Sequence, residues 1–436
     1  MSNAKQPSRR DFLQGSTAAA AGAALAGGLS IARSAHAQGS DVIKVALVGA
    51  GGRGSGAVSQ QMNADKGVKL VAIADAFEQR ANGSLGQLQK RYPDQVDVPP
   101  DRVFLGLDGY KKAIDAGVDL VTIATPPGFK AAPYKAAVDA GKHVFMEKPC
   151  CVDGPGFRML MEASKTADEK NLLVGIGLQR RHEPKYIETI KRIHDGAIGD
   201  VMFTRVYWNG GGIWNRGRED WMNELQYQVH NWYHFAWLSG DNIAEQHIHN
   251  IDIGNWVQND HPIEANGMGG CTARYLGSFR GTGQIFDHHF VEFTYANGAK
   301  MFSQCRHMKG CWGSVSEAAH GTKGTSNCAG QISGENEWRF SGPSPGGHQQ
   351  EQTDLVAALR AGERYNEGYY GATSSMTAVL GMNANYSGKI VKWDELVNKG
   401  KDLAPDDLTW DSQPPVQKDE NGDYPIPMPG QYNPFA

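Results

Sequence analysis

Short apolar runs alternate with amphipathic segments near the start of the chain. Four runs rich in β-branched residues predict strands at 42–48, 68–74, 118–124 and 144–146. The amphipathic segments between them predict helices at 55–62, 79–91, 110–116 and 131–140. Strands that alternate with helices are typical of βαβ units. This region therefore predicts a parallel sheet with helices packed on it, which is an α/β fold.

The pattern changes after about residue 200. Longer strands with alternating apolar and polar positions are predicted at 201–208, 290–295 and 299–304, and a helix at 374–387. Asn297 and Gly298, between the last two strands, are typical of a tight hairpin turn. This pattern predicts an antiparallel sheet and therefore a second domain of the α+β class.

The length and the tail composition divide the chain further. Its 436 residues exceed what one ordinary core holds. We expect a Rossmann domain at 38–160 and an α+β domain at 161–403. The tail at 404–436 is rich in Pro, Asp and Gly. This composition predicts an extended segment that is either disordered or laid on a neighbouring molecule.

The N-terminus carries an export signal. Arg9 and Arg10 precede an Ala-rich apolar stretch at 18–26, and Ala35-His36-Ala37 forms a cleavage pattern. These features predict a twin-arginine signal peptide at 1–37. The alternative is a membrane anchor, which is disfavoured because the apolar stretch is short and interrupted by glycine. We therefore expect a periplasmic or secreted protein with no membrane span once the signal is removed.

The charge balance excludes one class of partner. The chain has 43 Lys and Arg residues against 47 Asp and Glu residues, a net charge of −4. Proteins that bind nucleic acid normally present a basic surface. No nucleic-acid partner is expected.

A glycine-rich motif follows the first predicted strand and opens the first predicted helix. Residues 49–54 read Gly-Ala-Gly-Gly-Arg-Gly and match the GxGxxG pattern of dinucleotide-binding proteins. In that pattern the glycines permit a tight turn, a close approach of the backbone to a pyrophosphate, and close packing of helix on strand. The candidate cofactor-binding residues here are Gly49, Gly51, Gly52, Arg53 and Gly54.

The ends of the next strands supply further cofactor-binding candidates. Asp75 lies 21 residues after Gly54, the spacing of the acidic residue that binds a ribose 2′-hydroxyl. A carboxylate there repels a 2′-phosphate and favours NAD, although Arg80 leaves NADP as a less favoured alternative. Thr125 and Pro126 end the third predicted strand, at the carboxyl edge where cofactor and substrate meet.

Other motifs resemble one known family. Glu147-Lys148-Pro149 and the segments 174–184 and 381–393 are similar to motifs of the glucose–fructose oxidoreductase, inositol dehydrogenase and MocA family. The resemblance covers nearly all of the chain after the signal peptide. It implies a Rossmann domain followed by an α+β domain with a large open, mostly antiparallel sheet. It also implies a carbohydrate substrate and a homo-oligomer, a dimer or a tetramer.

The chemistry of such an enzyme needs a cation and a base. A hydride leaves a carbinol carbon as its hydroxyl loses a proton, so the developing alkoxide must be stabilised. Lys148, on the loop after a parallel strand, is the candidate cation. Glu147 is expected to orient Lys148 or to contact the nicotinamide ribose.

The densest group of ionisable residues lies at 245–252. If these residues form one helix, Glu245 and His249 share a face, as do His249 and Asp252. The two carboxylates would then hold the His249 ring and raise its basicity. The resemblance implies that His249 is the general acid/base and places Glu245 where the family has Asp. Glu245 therefore either takes part in proton transfer or orients a substrate hydroxyl.

The same segment contains residue types that bind zinc. In a helix His247 points away from His249, so we expect no metal site. His247 is then a structural or a substrate-binding residue. An aromatic-rich stretch around Trp232 either lines a sugar cleft or packs in the core. The candidate substrate-binding residues are Arg180, Arg181, Trp232, His247 and Asp252.

Three functions remain open on this pattern. The favoured one is an NAD(P)-dependent oxidoreductase that holds its cofactor tightly and acts on a sugar, polyol or glycoside. The second is a redox-neutral glycoside hydrolase that oxidises, eliminates and then reduces with the same cofactor. The third is a non-catalytic carbohydrate-binding protein.

Overall fold

The computed structural model describes residues 41–272, 281–405 and 407–435. The predicted signal peptide at 1–37 lies outside the described residues. No helix in the described ranges is long and apolar enough to cross a membrane.

A six-stranded parallel sheet forms the first half of the structure. Its order is β3-β2-β1-β4-β5-β6. The strands are β1 (Ile43–Val48), β2 (Val68–Asp75), β3 (Val103–Leu105), β4 (Leu120–Ile123), β5 (His143–Met146) and β6 (Val174–Ile176). Strands β4, β5 and β6 are buried along their whole length, as expected where helices cover both faces. The strand order reverses between β1 and β4, so a crevice forms at their carboxyl ends.

Helices pack on both faces of this sheet. They are α1 (Gly52–Ala64), α2 (Glu78–Arg91), α3 (Gly109–Ile114), α4 (Ala131–Asp139) and α5 (Gly154–Glu169). The predicted helices and strands of this half are found within a few residues of their expected ends. The sheet extends past the expected domain boundary at residue 160, however, because that residue lies inside α5 and β6 still pairs with β5.

A nine-stranded sheet forms the second half. Its order is β14-β13-β12-β11-β7-β10-β9-β8-β15, and within it only the β7–β10 pair is parallel. The longer strands are β7 (Val201–Gly210), β8 (Pro262–Gly270), β9 (His288–Tyr295), β10 (Lys300–His307) and β11 (Ser314–Gly321). The shorter ones are β12 (Gly324–Ser326), β13 (Gln331–Gly334), β14 (Trp338–Arg339) and β15 (Val391–Lys392). The predicted hairpin at Asn297-Gly298 joins β9 to β10.

Helices cover one face of the second sheet and also join the two halves. They are α6 (Pro184–His194), α7 (Glu224–His230), α8 (Ala236–Ser239), α9 (Asp241–Glu245), α10 (Ile248–Gln258), α11 (Gly347–Ala361), α12 (Gly368–Ser387) and α13 (Trp393–Lys399). Short 3₁₀ helices lie at Pro100–Arg102, Pro127–Phe129, Gln179–His182 and Trp232–His234. Helix α12 packs on both β8 and α5, and α11 packs on α1. The fold is thus a Rossmann half and an α+β half in continuous contact.

Helix α12 begins six residues earlier than its sequence pattern predicts. Its first turns contain Gly368 and Gly371, which disfavour a helix by intrinsic propensity. A Cβ on Gly371 would lie 2.9 Å from the Ile176 side chain, so close packing on β6 requires glycine there. Tertiary packing therefore overrides local propensity at this helix start.

The tail from residue 404 has no regular secondary structure in its described part, but it is packed on its own chain. Tyr424 is only 3% exposed, lies edge-on to Phe235 and stacks with Tyr227. This packing contradicts the expectation of a disordered segment, whereas an arm laid on a neighbouring molecule stays a prediction. Their aromatic side chains bury too much apolar area to remain unpacked.

Candidate active site

The glycine-rich loop between β1 and α1 forms a closely packed turn. Gly49 has φ of +92°, a conformation that favours glycine, and a Cβ there would lie 2.6 Å from the backbone of Ala124 and Thr125. Gly54 packs against the carbonyl oxygen of Gly49, again without room for a Cβ. The loop conformation therefore depends on both glycines.

The N-terminus of α1 is open to a ligand. Gly51 is its N-cap residue, no side chain caps the helix, and no acidic residue lies in its first turn. A Cβ on Gly51 or Gly52 would meet nothing within 4 Å. Free N–H groups beside open space suit an anion such as a pyrophosphate. These residues fit a dinucleotide.

Asp75, at the end of β2, is bonded to the glycine-rich loop. Its Oδ2 accepts a hydrogen bond from the backbone N–H of Ala50 at 2.8 Å, and its Oδ1 accepts one from that of Phe77 at 2.9 Å. Burial raises the pKa of this carboxyl against the lowering effect of those bonds. Asp75 thus fixes the loop and borders the same cleft.

A cleft of about 880 Å³ runs along the carboxyl edge of the parallel sheet. The glycine-rich loop, Asp75, Thr125 and Pro126 line one side, and Trp232 lines it from the second half. The predicted cofactor-binding residues Gly49, Gly51, Gly52 and Arg53 all line it.

Lys148 meets the second half of the structure at the end of β5. Its Nζ lies 3.0 Å from Glu245 Oε1 and also donates a hydrogen bond to the Glu245 carbonyl oxygen. Both side chains are mostly buried, with 13% and 15% exposure. A cation and a carboxylate that are distant in sequence are therefore held together at this edge.

Lys130 supports this loop and was not anticipated from the sequence. Its Nζ donates hydrogen bonds to the carbonyl oxygens of Lys148 and Pro149, both at 3.0 Å. Burial lowers the pKa of Lys130 to about 8. Its position before α4 carries no motif, because only the folded chain brings its side chain under the Lys148 loop.

Glu147 is paired with the glycine-rich loop. Its Oε1 lies 2.7 Å from Arg53 Nε, and its side chain is only 3% exposed. The expectation that Glu147 orients Lys148 is not what the structure shows, since the carboxylate is directed to Arg53. In this way Arg53 links the glycine-rich loop to the loop after β5.

His249 lies in a different environment from the one expected. The segment 245–252 is not one helix, because α9 ends at Glu245 and α10 begins at Ile248. The break arises where the His247 N–H donates to the carbonyl oxygen of Asn242, five residues back instead of four. Neither Glu245 nor Asp252 is hydrogen-bonded to the His249 ring.

The His249 ring is nearly buried and stacks on Trp208 at a centroid distance of 5.9 Å. Its Nδ1 is buried and has no hydrogen-bond partner in the described residues. Burial, together with the nearby positive charges of Lys148 and Arg180, holds the pKa of His249 well below its usual value. The predicted rise in basicity is therefore wrong, and the ring is neutral at pH 7.

Asp252 and Arg181 form a buried ion pair away from the cleft. Arg181 Nη2 lies 2.8 Å from Asp252 Oδ1, which also accepts a hydrogen bond from the Ser374 hydroxyl. The guanidinium lies over the rings of Trp256 and Tyr370. Both side chains are held by protein partners, which favours a structural role over the predicted substrate contact.

His247 is also a structural residue. It is completely buried, and its Nε2 lies 2.8 Å from Ser303 Oγ. Burial lowers its pKa to about 3. The predicted substrate contact is wrong at this position. Across residues 41–272, 281–405 and 407–435 no group of three or more His, Cys, Asp or Glu side chains is arranged to hold a metal ion.

Arg180 is the arginine of its pair that lies near His249. Its guanidinium forms an ion pair with Glu317, which also accepts hydrogen bonds from Asn250 and Tyr186. The positive charge of Arg180 contributes to the low pKa of His249. The choice between Arg180 and Arg181 could not be made from the sequence, because neighbouring side chains point in different directions.

A search of family profiles matches residues 43–178 to the oxidoreductase family with an NAD-binding Rossmann fold that comprises glucose–fructose oxidoreductase, inositol dehydrogenase and MocA. This part of the chain is therefore similar to the NAD-binding domain of that family. Residues 6–26 match the twin-arginine translocation signal, which supports export by that route.

Curated relatives share part of their length with this chain. An inositol 2-dehydrogenase of Saccharopolyspora erythraea is 28% identical over 202 residues, which cover 46% of this chain and 55% of the relative. One of Rhizobium meliloti is 32% identical over 165 residues, or 38% of this chain and 44% of the relative. The chain thus spans about half the length of the curated relatives it matches.

Two solved structures share the fold of this chain. The aldose–aldose oxidoreductase of Caulobacter crescentus, solved with glycerol, superposes with a TM-score of 0.62 at 18% identity, covering 80% of this chain and 99% of the other. A levoglucosan dehydrogenase solved with NADH and levoglucosan gives the same TM-score and coverage at 19% identity. At these identities the likeness shows the fold alone.

Proposed function

We propose that this protein is a nicotinamide-dependent oxidoreductase that acts on a CH–OH group of a sugar, polyol or glycoside. The observation that carries the proposal is the contact between Lys148 and Glu245, with the neutral His249 near Lys148. The glycine-rich loop of the same Rossmann half lines a cleft at the carboxyl edge of its sheet. The names of the curated relatives, inositol 2-dehydrogenases, support a polyol or sugar substrate.

The chain has residues suited to each part of a dinucleotide. The N-terminus of α1 would bind the pyrophosphate, and Asp75 would face the adenosine ribose. The Asp75 carboxylate supports NAD over NADP because it would repel a 2′-phosphate. When bound, the nicotinamide supplies the hydride acceptor for alcohol oxidation.

Lys148 and His249 would have different roles in removing the hydroxyl proton. The Lys148 ammonium would donate a hydrogen bond to the substrate oxygen and stabilise the negative charge that develops as the C–H bond breaks. His249, whose low pKa leaves the ring unprotonated at pH 7, would accept the hydroxyl proton as the Lys148 ammonium stabilises the alkoxide. Glu245 holds the Lys148 ammonium in place through the 3.0 Å contact.

The proposal is tested on the full chain, expressed with its own signal and purified from the exported fraction. The protein is denatured, the released small molecules are identified by mass spectrometry, and sugars, polyols and glycosides are screened for reduction of NAD. Stoichiometric NAD(H) and substrate-dependent NADH formation support the proposal. Release of an aglycone with no net NADH indicates the redox-neutral hydrolase. Failure to contain or bind any dinucleotide indicates a carbohydrate-binding protein.

The proposal extends to location and assembly. The twin-arginine signal supports a location outside the cytoplasm, in the periplasm or the medium. Met268 and Phe290, exposed apolar side chains that pair across β8 and β9, support a homo-oligomer formed through that face of the second sheet. Light scattering of the purified protein measures its size.

A further inference from the structure

The dinucleotide cleft has a second wall that comes from outside the Rossmann half. Trp214 and Arg216, between β7 and α7, line the cleft opposite the parallel sheet. Leu408, Thr409 and Trp410 of the C-terminal tail line it as well. The residues of this wall lie more than 150 positions after the glycine-rich loop, and no dinucleotide-binding motif includes them.

The tail is hydrogen-bonded before the segment 408–410 and at its last residue. Before it, the backbone N–H groups of Leu403 and Ala404 donate to Asp153 Oδ2 at 2.8 and 3.2 Å. At its end, Asn223 Nδ2 donates to the Trp410 carbonyl oxygen at 2.7 Å. These bonds hold the tail on the protein where residues 408–410 line the cleft.

Trp410 contacts the part of the Rossmann half that faces the adenosine. Its ring lies 5.6 Å from that of Phe77, which follows Asp75 by two residues. The side chains of His230 and Trp221 meet Phe77 edge-on. An aromatic cluster therefore joins the tail and the second half to the turn after β2, where an adenosine ribose would bind.

Two guanidinium groups add positive charge at this end of the cleft. Arg80 lies over Phe77 at 5.7 Å, and Arg216 lies over Trp214 at 3.9 Å. Within the described ranges neither forms an ion pair with a carboxylate. Burial and the charge of Arg80 lower the pKa of Arg216 to about 10. A dinucleotide, whose pyrophosphate carries two negative charges, would be attracted to this positively charged end of the cleft.

We infer that Trp410 and Arg216 complete the adenosine-binding part of the cleft and retain the dinucleotide there. The inference rests on the proposed function. A cofactor seated on the glycine-rich loop would be bounded on its other side by the tail, which must then move before the cofactor leaves. Such retention suits an exported protein, since it would carry its cofactor through export.

The test compares the release of NADH from the wild-type protein and from Trp410→Ala and Arg216→Gln. Each protein is loaded with NADH, mixed with excess NAD⁺, and followed by the loss of NADH fluorescence. We expect dissociation at least about tenfold faster in both variants, because affinity differences arise mainly in the off-rate. Met428→Ala is the matched control, since Met428 is a half-exposed tail residue outside the cleft.

The outcomes separate the two proposals. If the wild-type protein binds no dinucleotide, the proposed function fails. If it binds NADH and both variants release it at the rate of Met428→Ala, the inference on the tail is overturned and the function stands.

A second measurement needs no substitution. Hydrogen exchange of the amides at 407–416 is compared in wild-type protein with and without NAD⁺. Slower exchange on binding supports the inference, and unchanged exchange with NAD⁺ bound overturns it.

Discussion

Lys148 reaches its position through residues on three separate segments. Glu245, from the second half, forms an ion pair with the Lys148 ammonium. Lys130 donates a hydrogen bond to the Lys148 carbonyl oxygen. Three ionisable side chains thus converge within a mostly buried region, where electrostatic interactions are stronger than in water. The orientation of the Lys148 ammonium is therefore set before a substrate arrives.

Substitution of Lys148 tests its role directly. We expect Lys148→Ala to lower kcat by about 10²- to 10⁴-fold, the usual effect of losing a group that assists proton transfer. Bound NAD(H), measured after denaturation, should stay near the wild-type amount. Lys165→Ala is the control, since Lys165 lies exposed on α5. Near wild-type turnover in Lys148→Ala would contradict the assignment.

At the scale of elements, the turn between β1 and α1 requires glycine at position 54, whereas helix α2 does not require glycine at position 83. Gly54 has no room for a Cβ against Gly49, but Gly83, exposed in the middle of α2, has nothing within 4 Å. The same substitution therefore has opposite effects at the two sites. Both effects follow from the local backbone and its neighbours.

We expect Gly54→Ala to lower the free energy of unfolding and to weaken NAD binding, since the loop must open to admit a methyl group. Gly83→Ala should raise the free energy of unfolding by about 1 kcal/mol, the difference in helix propensity between the two residues. Urea denaturation of each variant measures both changes. A stability loss in Gly83→Ala as large as in Gly54→Ala would refute the packing argument.

A histidine links three elements at the start of the second half. His182 Nδ1 lies 2.7 Å from Asp354 on α11, and its Nε2 lies 3.1 Å from Glu367, just before α12. Hydrogen bonds to these carboxylates outweigh burial and raise the pKa of His182 to about 10. The folded state therefore binds this proton more tightly than the unfolded chain.

This difference makes the contribution of His182 depend on pH. Because its folded pKa is raised, its stabilising effect is complete below about pH 6.5. It is lost as the pH rises towards 10. We expect His182→Gln to lower Tm most at pH 6 and least near pH 10. Thermal unfolding of both proteins across this range measures the difference, and a pH-independent gap would exclude the charged contact.

At the scale of the whole molecule, late helices of the chain pack on the Rossmann half and hold the two halves together. Helix α12 packs on both β8 and α5, and α11 places Gln352 in hydrogen-bond contact with Gln61 of α1. The tail then passes along the cleft between Rossmann residues and second-half residues. A cofactor in the cleft therefore touches parts that come from both ends of the chain.

Export of this assembly requires the paired arginines of the signal. The twin-arginine route carries folded proteins, so substrate-binding and cofactor-binding parts would cross the membrane together. We expect the double substitution Arg9→Lys and Arg10→Lys to leave the protein in the cytoplasm with its cofactor content unchanged. Immunoblots of the periplasmic and cytoplasmic fractions measure this. Undiminished export would contradict the signal.

The sequence by itself determined the parts of the protein that depend on local pattern. The alternation of strands and helices, the glycine-rich loop and the hairpin at Asn297-Gly298 are all found where they were predicted. Each of these features is set by backbone sterics or by burial of one face, which nearby residues fix.

The tertiary structure decided which side chains meet. The helix break before Ile248 separates Glu245 from His249, and burial makes His249 less basic instead of more basic. Asp252 turns to Arg181, and the tail folds back on the cleft. These outcomes depend on contacts between residues far apart in the chain, which no local pattern of hydrophobic and polar positions encodes.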